Sequence, residues 1–282
     1  MKSFDQQFAD SIRAIMTEGD TMYHERTDTE IKAIPGMHFE CYPQHGFPVL
    51  TLRKIPIRIF VAEIVWYIMG SQRPAEFISE FTKIWDDFTH EDGTVPAAYG
   101  YRWRHHFGRD QLDSLIKHLE EERTSRQGVV VTWDPGDDSL GSPNKKLNVP
   151  CPYTFTVNII EDKLNLHCTA RSTDMMLGLP HDVAGHALLQ RVFAQRLKAK
   201  VGKLSFTTSH AHVYGNHFDQ ALEVMERQAN HAPVEFELPP NTYERAANGD
   251  RELVKEIVSL IKNQYEPQAP LGKMRIAIGK AN

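Results

Sequence analysis

RSTDMMLGLPHDVAGHALLQRVFAQRL, residues 171–197, decides the fold. It opens at the end of an alternating run, KLNLHCTARS, that reads as a strand. It turns at LGLP and continues after Pro180 as a long apolar helix. A strand that feeds directly into a buried helix implies a sheet and helices sharing one core. Asp182 stands at the lip of that helix. There it can cap the helix by accepting a backbone N–H, or it can read a ligand. These residues alone leave both readings open.

Working outward, residues 4–17 predict an amphipathic helix, and IRIFVAEIVWYIMG, residues 57–70, a buried one. Glu63 interrupts that second run, and an uncompensated carboxylate in such a setting is costly. AEFISEFTKIWDDF, residues 75–88, continues as a further helix, and DQLDSLIKHLEEERTS has the spacing of a surface helix. YHERTDTEIK reads as a polar loop, and residues 93–109 as a loop rich in aromatics and arginines. GVVVTW is a strand. PYTFTVNII and KLNLHCTARS form a hairpin turning at Glu161-Asp162. KLSFTTSHAHVYG runs from strand into loop. A helix near 216–229, the strand VEFEL and the helix RELVKEIVSLIKN follow. The expectation is one α+β domain over residues 1–282, a large mixed β-sheet covered by helices.

Composition narrows the function. Of 282 residues, 41% are hydrophobic and 24% charged, an ordinary globular balance. Cys41, Cys151 and Cys168 form no CxxC and no even framework, which points to a reduced, cytoplasmic setting. MKSFDQQFAD lacks an apolar signal region, and no run approaches the ~18 apolar residues of a membrane span. The net charge of −5 means that an anionic ligand must be held by local arginines. With no basic tail or basic–aromatic stripe, nucleic acid is not the expected partner.

Three groups of residues carry potential chemistry. Cys41 and Cys168 sit in apolar, strand-like surroundings and read as structural thiols. Cys151 sits between two prolines in VPCPYTF, which fix the backbone around it and suit a nucleophile as well as a structural thiol. His210 and His212 form HxH with His181, His186 and His217 nearby in sequence, but no third zinc ligand stands at a helical spacing. Glu63 can be one half of a buried ion pair, with Arg171 as its mate.

Taken together, HERTDT, HGFPVLTLRKIPIR, AEIVWYIMG, IWDDF, AAYGYRWR, TSRQGVVVTW, VPC, RSTDMMLGLPHDVAGHALL, HAHVYGNHFDQ and GKMRIAI resemble, in order, the motifs of thymidylate synthase and its cytidylate-modifying relatives. The resemblance implies a homodimer joined through its sheet faces and a 5,10-methylenetetrahydrofolate cofactor. It implies that Cys151 adds to C6 of a pyrimidine nucleoside monophosphate, making C5 a nucleophile. Glu63 would manage proton traffic with help from Tyr99. Arg26, Arg171 and Arg126, the last from the partner subunit, would hold the 5′-phosphate, with Ser172 near it. His212 and Tyr214 would hold the sugar hydroxyl. Trp85, Asp174, Leu177, Gly178 and His181 would line the folate site.

The departures select among relatives. Asp182 stands where thymidylate synthases carry asparagine, and the cytosine-acting relatives carry aspartate. A carboxylate accepts from the cytosine N4 amino group. Against uracil O4 it would make an acceptor–acceptor contact costing about 1–3 kcal/mol. Pro152 replaces the histidine after the nucleophile, Gln127 replaces the second arginine of a pair, and Phe88 replaces a folate-site tryptophan. His181 stands at an aromatic position. GKAN extends the chain past the usual terminal position, Ile278. These changes imply an altered water arrangement, hence hydroxymethylation of dCMP or CMP. Trp85, which shields the one-carbon unit in methylating relatives, keeps methylation open. Action on dUMP stays open as well, and so does a non-catalytic nucleotide-binding role.

Overall fold

A computed structural model of the chain describes residues 1–138, 149–229 and 232–275, the Arg26 side chain excepted. Among the described residues seven strands form one mixed sheet: β1 (Asp20–His24), β2 (Thr29–Cys41), β3 (Val129–Val131), β4 (Pro152–Ile160), β5 (Lys163–Ala170), β6 (Thr173–Asp174) and β7 (Lys200–Tyr214). Their order is β1-β2-β7-β5-β4-β3, with β6 also paired to β7. The β5 and β6 pairings with β7 are parallel and the others antiparallel.

The helices are α1 (Phe4–Glu18), α2 (Ile57–Met69), α3 (Tyr99–Tyr101), α4 (Gln111–Glu121), α5 (Gly178–Arg196), α6 (Phe218–Glu226), α7 (Thr242–Ala247) and α8 (Arg251–Lys262). α1 begins in a capping box, where Ser3 and Gln6 exchange side-chain-to-backbone bonds. α5 packs on β5 and β7 from the core side, and α2 packs on α5, α7 and α8. Along β5, Leu164, Leu166, Cys168 and Ala170 point into this core while His167 points out. The expected α+β class and large mixed sheet are therefore what the chain adopts.

The Glu161-Asp162 hairpin forms as expected, pairing Ile160 with Lys163. Both turn residues have positive φ, 49° and 62°, as a two-residue turn of this hand requires. Asp182 lies within α5, which starts at Gly178, so it does not cap that helix.

Several elements differ from expectation. Residues 75–88 contain three short 3₁₀ turns, Pro74–Glu76, Ile78–Glu80 and Asp86–Phe88, instead of a helix. Phe77, Ile78, Phe81 and Trp85 are all buried, so the helical spacing is real. Phe77, however, holds φ −151° and ψ −63°, which splits the run. YHERTDTEIK is not all loop: it ends β1, forms the 3₁₀ turn Glu25–Thr27 and begins β2, in a hairpin whose exposed first strand shows no apolar alternation. Residues 99–106 wind into α3 and a π-helical turn inside the expected loop. VEFEL pairs with no strand among the described residues. Instead Arg191 and Gln195 of α5 donate to the carbonyls of Phe236 and Leu238 at 3.1 Å each, satisfying the backbone from the side. β7 stays strand through Tyr214, and α7 had no clear sequence signal.

One close approach fixes the site's geometry. A Cβ added to Gly100 would lie 2.2 Å from the Tyr67 carbonyl oxygen, so α3 can lie against α2 only with glycine there. Gly100→Ala should destabilise the fold by about 1–3 kcal/mol. It should also lower activity further than that loss of folded protein explains, because neighbouring Tyr99 is displaced. Thermal denaturation beside kinetics at a fully folded temperature checks this.

Candidate active site

Cys151 lies at the entrance to β4, beside β5 and its continuation to Arg171, whose N–H donates to the Cys151 carbonyl at 2.9 Å. The Cys151 N–H donates to the Tyr99 hydroxyl at 3.2 Å. The Arg171 guanidinium donates to the Pro150 carbonyl at 2.8 Å and the Val149 carbonyl at 3.0 Å, and its Nη2 stands 3.7 Å from Cys151 Sγ. A guanidinium at that distance favours the thiolate. Cys41 and Cys168 are buried, and burial pushes the Cys41 thiol up to about 12 and the Cys168 thiol well above its ordinary value. Cys151 alone of the three keeps appreciable accessible surface.

Cys151 and Arg171 border a cavity of about 340 Å³. Arg171, Ser172, Asp174, His212 and Tyr214 line it with Cys151, as do His24, His210 and Trp133. The His212 and Tyr214 rings meet edge-on at 4.8 Å. His212 Nδ1 is buried without a hydrogen-bond partner among the described residues, and burial holds the imidazole down to about 4. It therefore faces the cavity as a neutral ring.

Glu63 is not the ion-pair mate of Arg171. Its Oε1 accepts from the Trp85 indole N–H at 2.9 Å, and Tyr67 supplies a second hydrogen bond. Burial nevertheless pushes the Glu63 carboxyl up to about 7, against the effect of those two donors. Burial, then Glu63, then Asp174 push the Asp182 carboxyl up to about 8. Its side chain has no hydrogen-bond partner among the described residues, although its backbone carbonyl accepts from His186 at 2.7 Å. Half-buried and without such a donor, the carboxyl is open to a ligand contact. Burial also raises the Tyr99 hydroxyl well above its usual range, with Cys151 and Asp182 adding to the effect.

Asp174 closes the turn into α5, accepting from the N–H groups of Met176 at 2.9 Å and Leu177 at 3.1 Å. Gly178 follows: a Cβ there would lie 3.6 Å from Asp174 Cβ and 3.9 Å from Asp182 Oδ2, so the glycine leaves space between two carboxyls. The His181 ring meets Phe60 edge-on, its Nδ1 lacks a partner among the described residues, and burial holds it down to about 4, with Arg53 contributing.

Arg126 is exposed and does not line the cavity. Arg26 lies on the turn Glu25–Thr27, two residues from His24, with its side chain outside the described residues. Ile278 and the GKAN extension also lie outside them. Sequence reasoning missed Tyr67, Arg53, His24 and Trp133. Tyr67 was findable, because it stands one turn after Glu63 on the same helix face. Arg53, buried and donating to the Met176 carbonyl, gave no such signal.

The family model for thymidylate synthase matches residues 6–268. The chain belongs to the thymidylate synthase family. Members carry out folate-dependent one-carbon transfer to a pyrimidine nucleotide, with 5,10-methylenetetrahydrofolate as donor. The site suits that donor: Asp174 offers an open carboxylate oxygen beyond its turn bonds, matching a heterocycle edge rich in N–H groups. No helix among the described residues is long and apolar enough to cross a membrane.

Carboxyl-selective ¹³C NMR titration of the free protein should show Asp182 titrating near about 8 and Glu63 near about 7. Removing Glu63 in Glu63→Gln should lower the Asp182 midpoint. An Asp182 midpoint in the ordinary carboxylate range would contradict the geometry described.

Proposed function

We propose that the protein transfers a one-carbon unit to C5 of a cytidine nucleotide, dCMP or CMP, and releases the 5-hydroxymethyl product. The carboxyl of Asp182, desolvated and without a donor among the described residues, carries this reading. Cytosine presents an amino donor at C4 and a ring acceptor at N3. Asp182 accepts from the amino group, and the proton that burial keeps nearby serves N3.

Arg171, with Arg26 and a partner's copy of Arg126, holds the phosphate, and Ser172 assists. His212 and Tyr214 hold the sugar. The Cys151 thiolate forms a bond to C6, and the C5–C6 π pair moves towards N3, where the proton from Asp182 meets it. C5 is then the nucleophile that receives the new carbon. 5,10-Methylenetetrahydrofolate supplies that carbon at the oxidation level of formaldehyde. Trp85, Asp174, Leu177, Gly178 and His181 orient it. Glu63, held by Trp85 and Tyr67, removes the C5 proton with Tyr99 alongside; the freed pair releases the new carbon from the folate, which departs as tetrahydrofolate, and once water has added to that carbon the ring double bond re-forms and Cys151 leaves.

Water completes the hydroxymethyl group, and three features support its access. Pro152 offers no N–H. The unpartnered Nδ1 of His181 lies one residue from Asp182. Phe88 packs on Trp85 at 6.0 Å without a polar atom. The open sheet face, where Val129, Val131 and Ile160 are exposed, is the proposed homodimer surface. A reduced, cytoplasmic setting belongs to the same proposal, and nucleic acid does not enter it as a partner.

Incubation with CMP, dCMP, UMP or dUMP and the folate, read by mass and by dihydrofolate absorbance, tests the proposal. The expected result is a hydroxymethylated cytidine nucleotide without dihydrofolate. A methyl product with dihydrofolate overturns the water step, and turnover of uridine nucleotides alone overturns the base reading. No turnover, with nucleotide binding retained after Cys151→Ala, supports a binding role instead.

The pH dependence has a definite sign. Asp182 acts while protonated, so kcat/KM should fall as pH rises through about 8. Glu63 acts while ionised, so the rate should also fall below about 7. A profile flat through the alkaline range contradicts the role given to Asp182.

A further inference from the structure

The most heavily paired buried charge among the described residues does not touch the cavity. Arg102, on the π-helical turn after α3, is fully buried. Its Nη2 donates to Asp138 Oδ1 at 3.2 Å and to Asp137 Oδ2 at 3.3 Å, and its Nη1 lies 3.4 Å from Asp134 Oδ2. His106 Nε2 stands 2.7 Å from the same Nη1 and 2.5 Å from Asp134 Oδ2. That nitrogen can accept from the arginine or donate to the aspartate, but not both at once. His106, Asp134 and Asp137 bring ligand atoms within 4.8 Å of one another, and the Arg102 guanidinium stands among them.

The three aspartates form a tight turn. Asp134 N–H donates to Asp138 Oδ2 at 3.0 Å, and Gly136 N–H to Asp134 Oδ1 at 2.8 Å. The turn begins directly after Trp133, which lines the cavity together with Asp138 and Cys151. The Arg171 guanidinium lies over the Trp133 ring at 6.0 Å. From the other side, Trp103 donates to Thr132 Oγ1 at 2.8 Å, and Thr132 N–H to the Tyr153 carbonyl at 2.9 Å. Segment 132–138 is thus fastened at both ends, and Arg102 is its C-terminal fastening.

We infer that Arg102 is a positioning residue for the nucleotide cavity: it holds the 134–138 turn so that Trp133 stays against Arg171, and Arg171 stays beside Cys151. Three carboxylates confined to one turn repel each other unless a cation sits among them. The planar fork of arginine reaches all three, which the single ammonium of lysine does not. Without it the turn opens, Trp133 loses its place, and the guanidinium next to the thiol is no longer confined.

Arg102→Lys and Asp137→Asn test this, the second leaving Arg102 two carboxylates so that folding is retained. The readouts are the iodoacetamide alkylation rate at Cys151, mapped by mass at neutral pH, and the Kd for whichever of CMP, dCMP, UMP and dUMP the unaltered protein binds best. Thermal midpoints are measured alongside. Arg102→Lys should slow Cys151 alkylation and weaken nucleotide binding by about tenfold each, with a smaller change in both for Asp137→Asn. Lower thermal midpoints with unaltered alkylation and affinity would show a purely structural role and overturn the inference. If Arg102→Lys does not fold, Asp137→Asn decides by the same criteria. If the unaltered protein binds none of the four nucleotides, the proposed function fails, while the Cys151 rate still decides the role of Arg102.

Discussion

Two carboxyl groups forced into one desolvated space set the terms for this molecule. Glu63 comes from α2 and Asp182 from α5, two helices packed against each other in the core. Burial disfavours the charged form of both, and Glu63 adds to the rise at Asp182, so both midpoints move up into the physiological range. The two are not equivalent. Glu63 is held by an indole and a phenol, whereas the Asp182 carboxyl receives no hydrogen bond from the described residues. One carboxyl is fixed by hydrogen bonds and the other is not. Rigid helices on both sides give that difference a defined geometry.

In the proposed nucleotide site, the phosphate side works by a different balance. The chain carries a net charge of −5, so no long-range field draws an anion in. Attraction rests on a few local cations, of which Arg171 is the best placed, lying between backbone carbonyls, an indole ring and the thiol. On our inference, its position in turn depends on Trp133 and the turn that Arg102 holds. The neutral His212 ring at the cavity wall adds a directional donor and acceptor without adding charge.

Much of this was legible in the sequence, and the exceptions have physical causes. Helical spacing marked α1, α4 and α8, long apolar runs marked α2 and α5, and a two-residue turn of acidic residues marked the β4–β5 hairpin. The β1–β2 hairpin was hidden because its first strand is exposed on both faces and so lacks alternation. The false strand at VEFEL has strand-like residues, but side chains of α5 satisfy its carbonyls. Among site residues, Cys151, Arg171, Ser172, Asp174, His212 and Tyr214 do meet at one cavity. The split between a bonded Glu63 and an unbonded Asp182 could not be read from spacing, because it depends on which way Trp85 and Tyr67 turn. The Arg102 cluster was equally hidden, since its aspartate partners lie far along the chain, beyond a helix and a strand.

The central claim is that the Asp182 carboxyl selects an exocyclic amine over a carbonyl oxygen. The most direct measurement is the ratio of kcat/KM for the cytidine and uridine monophosphates in the natural protein and in Asp182→Asn. The account predicts that the ratio favours cytidine in the natural protein and moves towards uridine by about tenfold or more in the variant. A ratio unchanged by the substitution would contradict it.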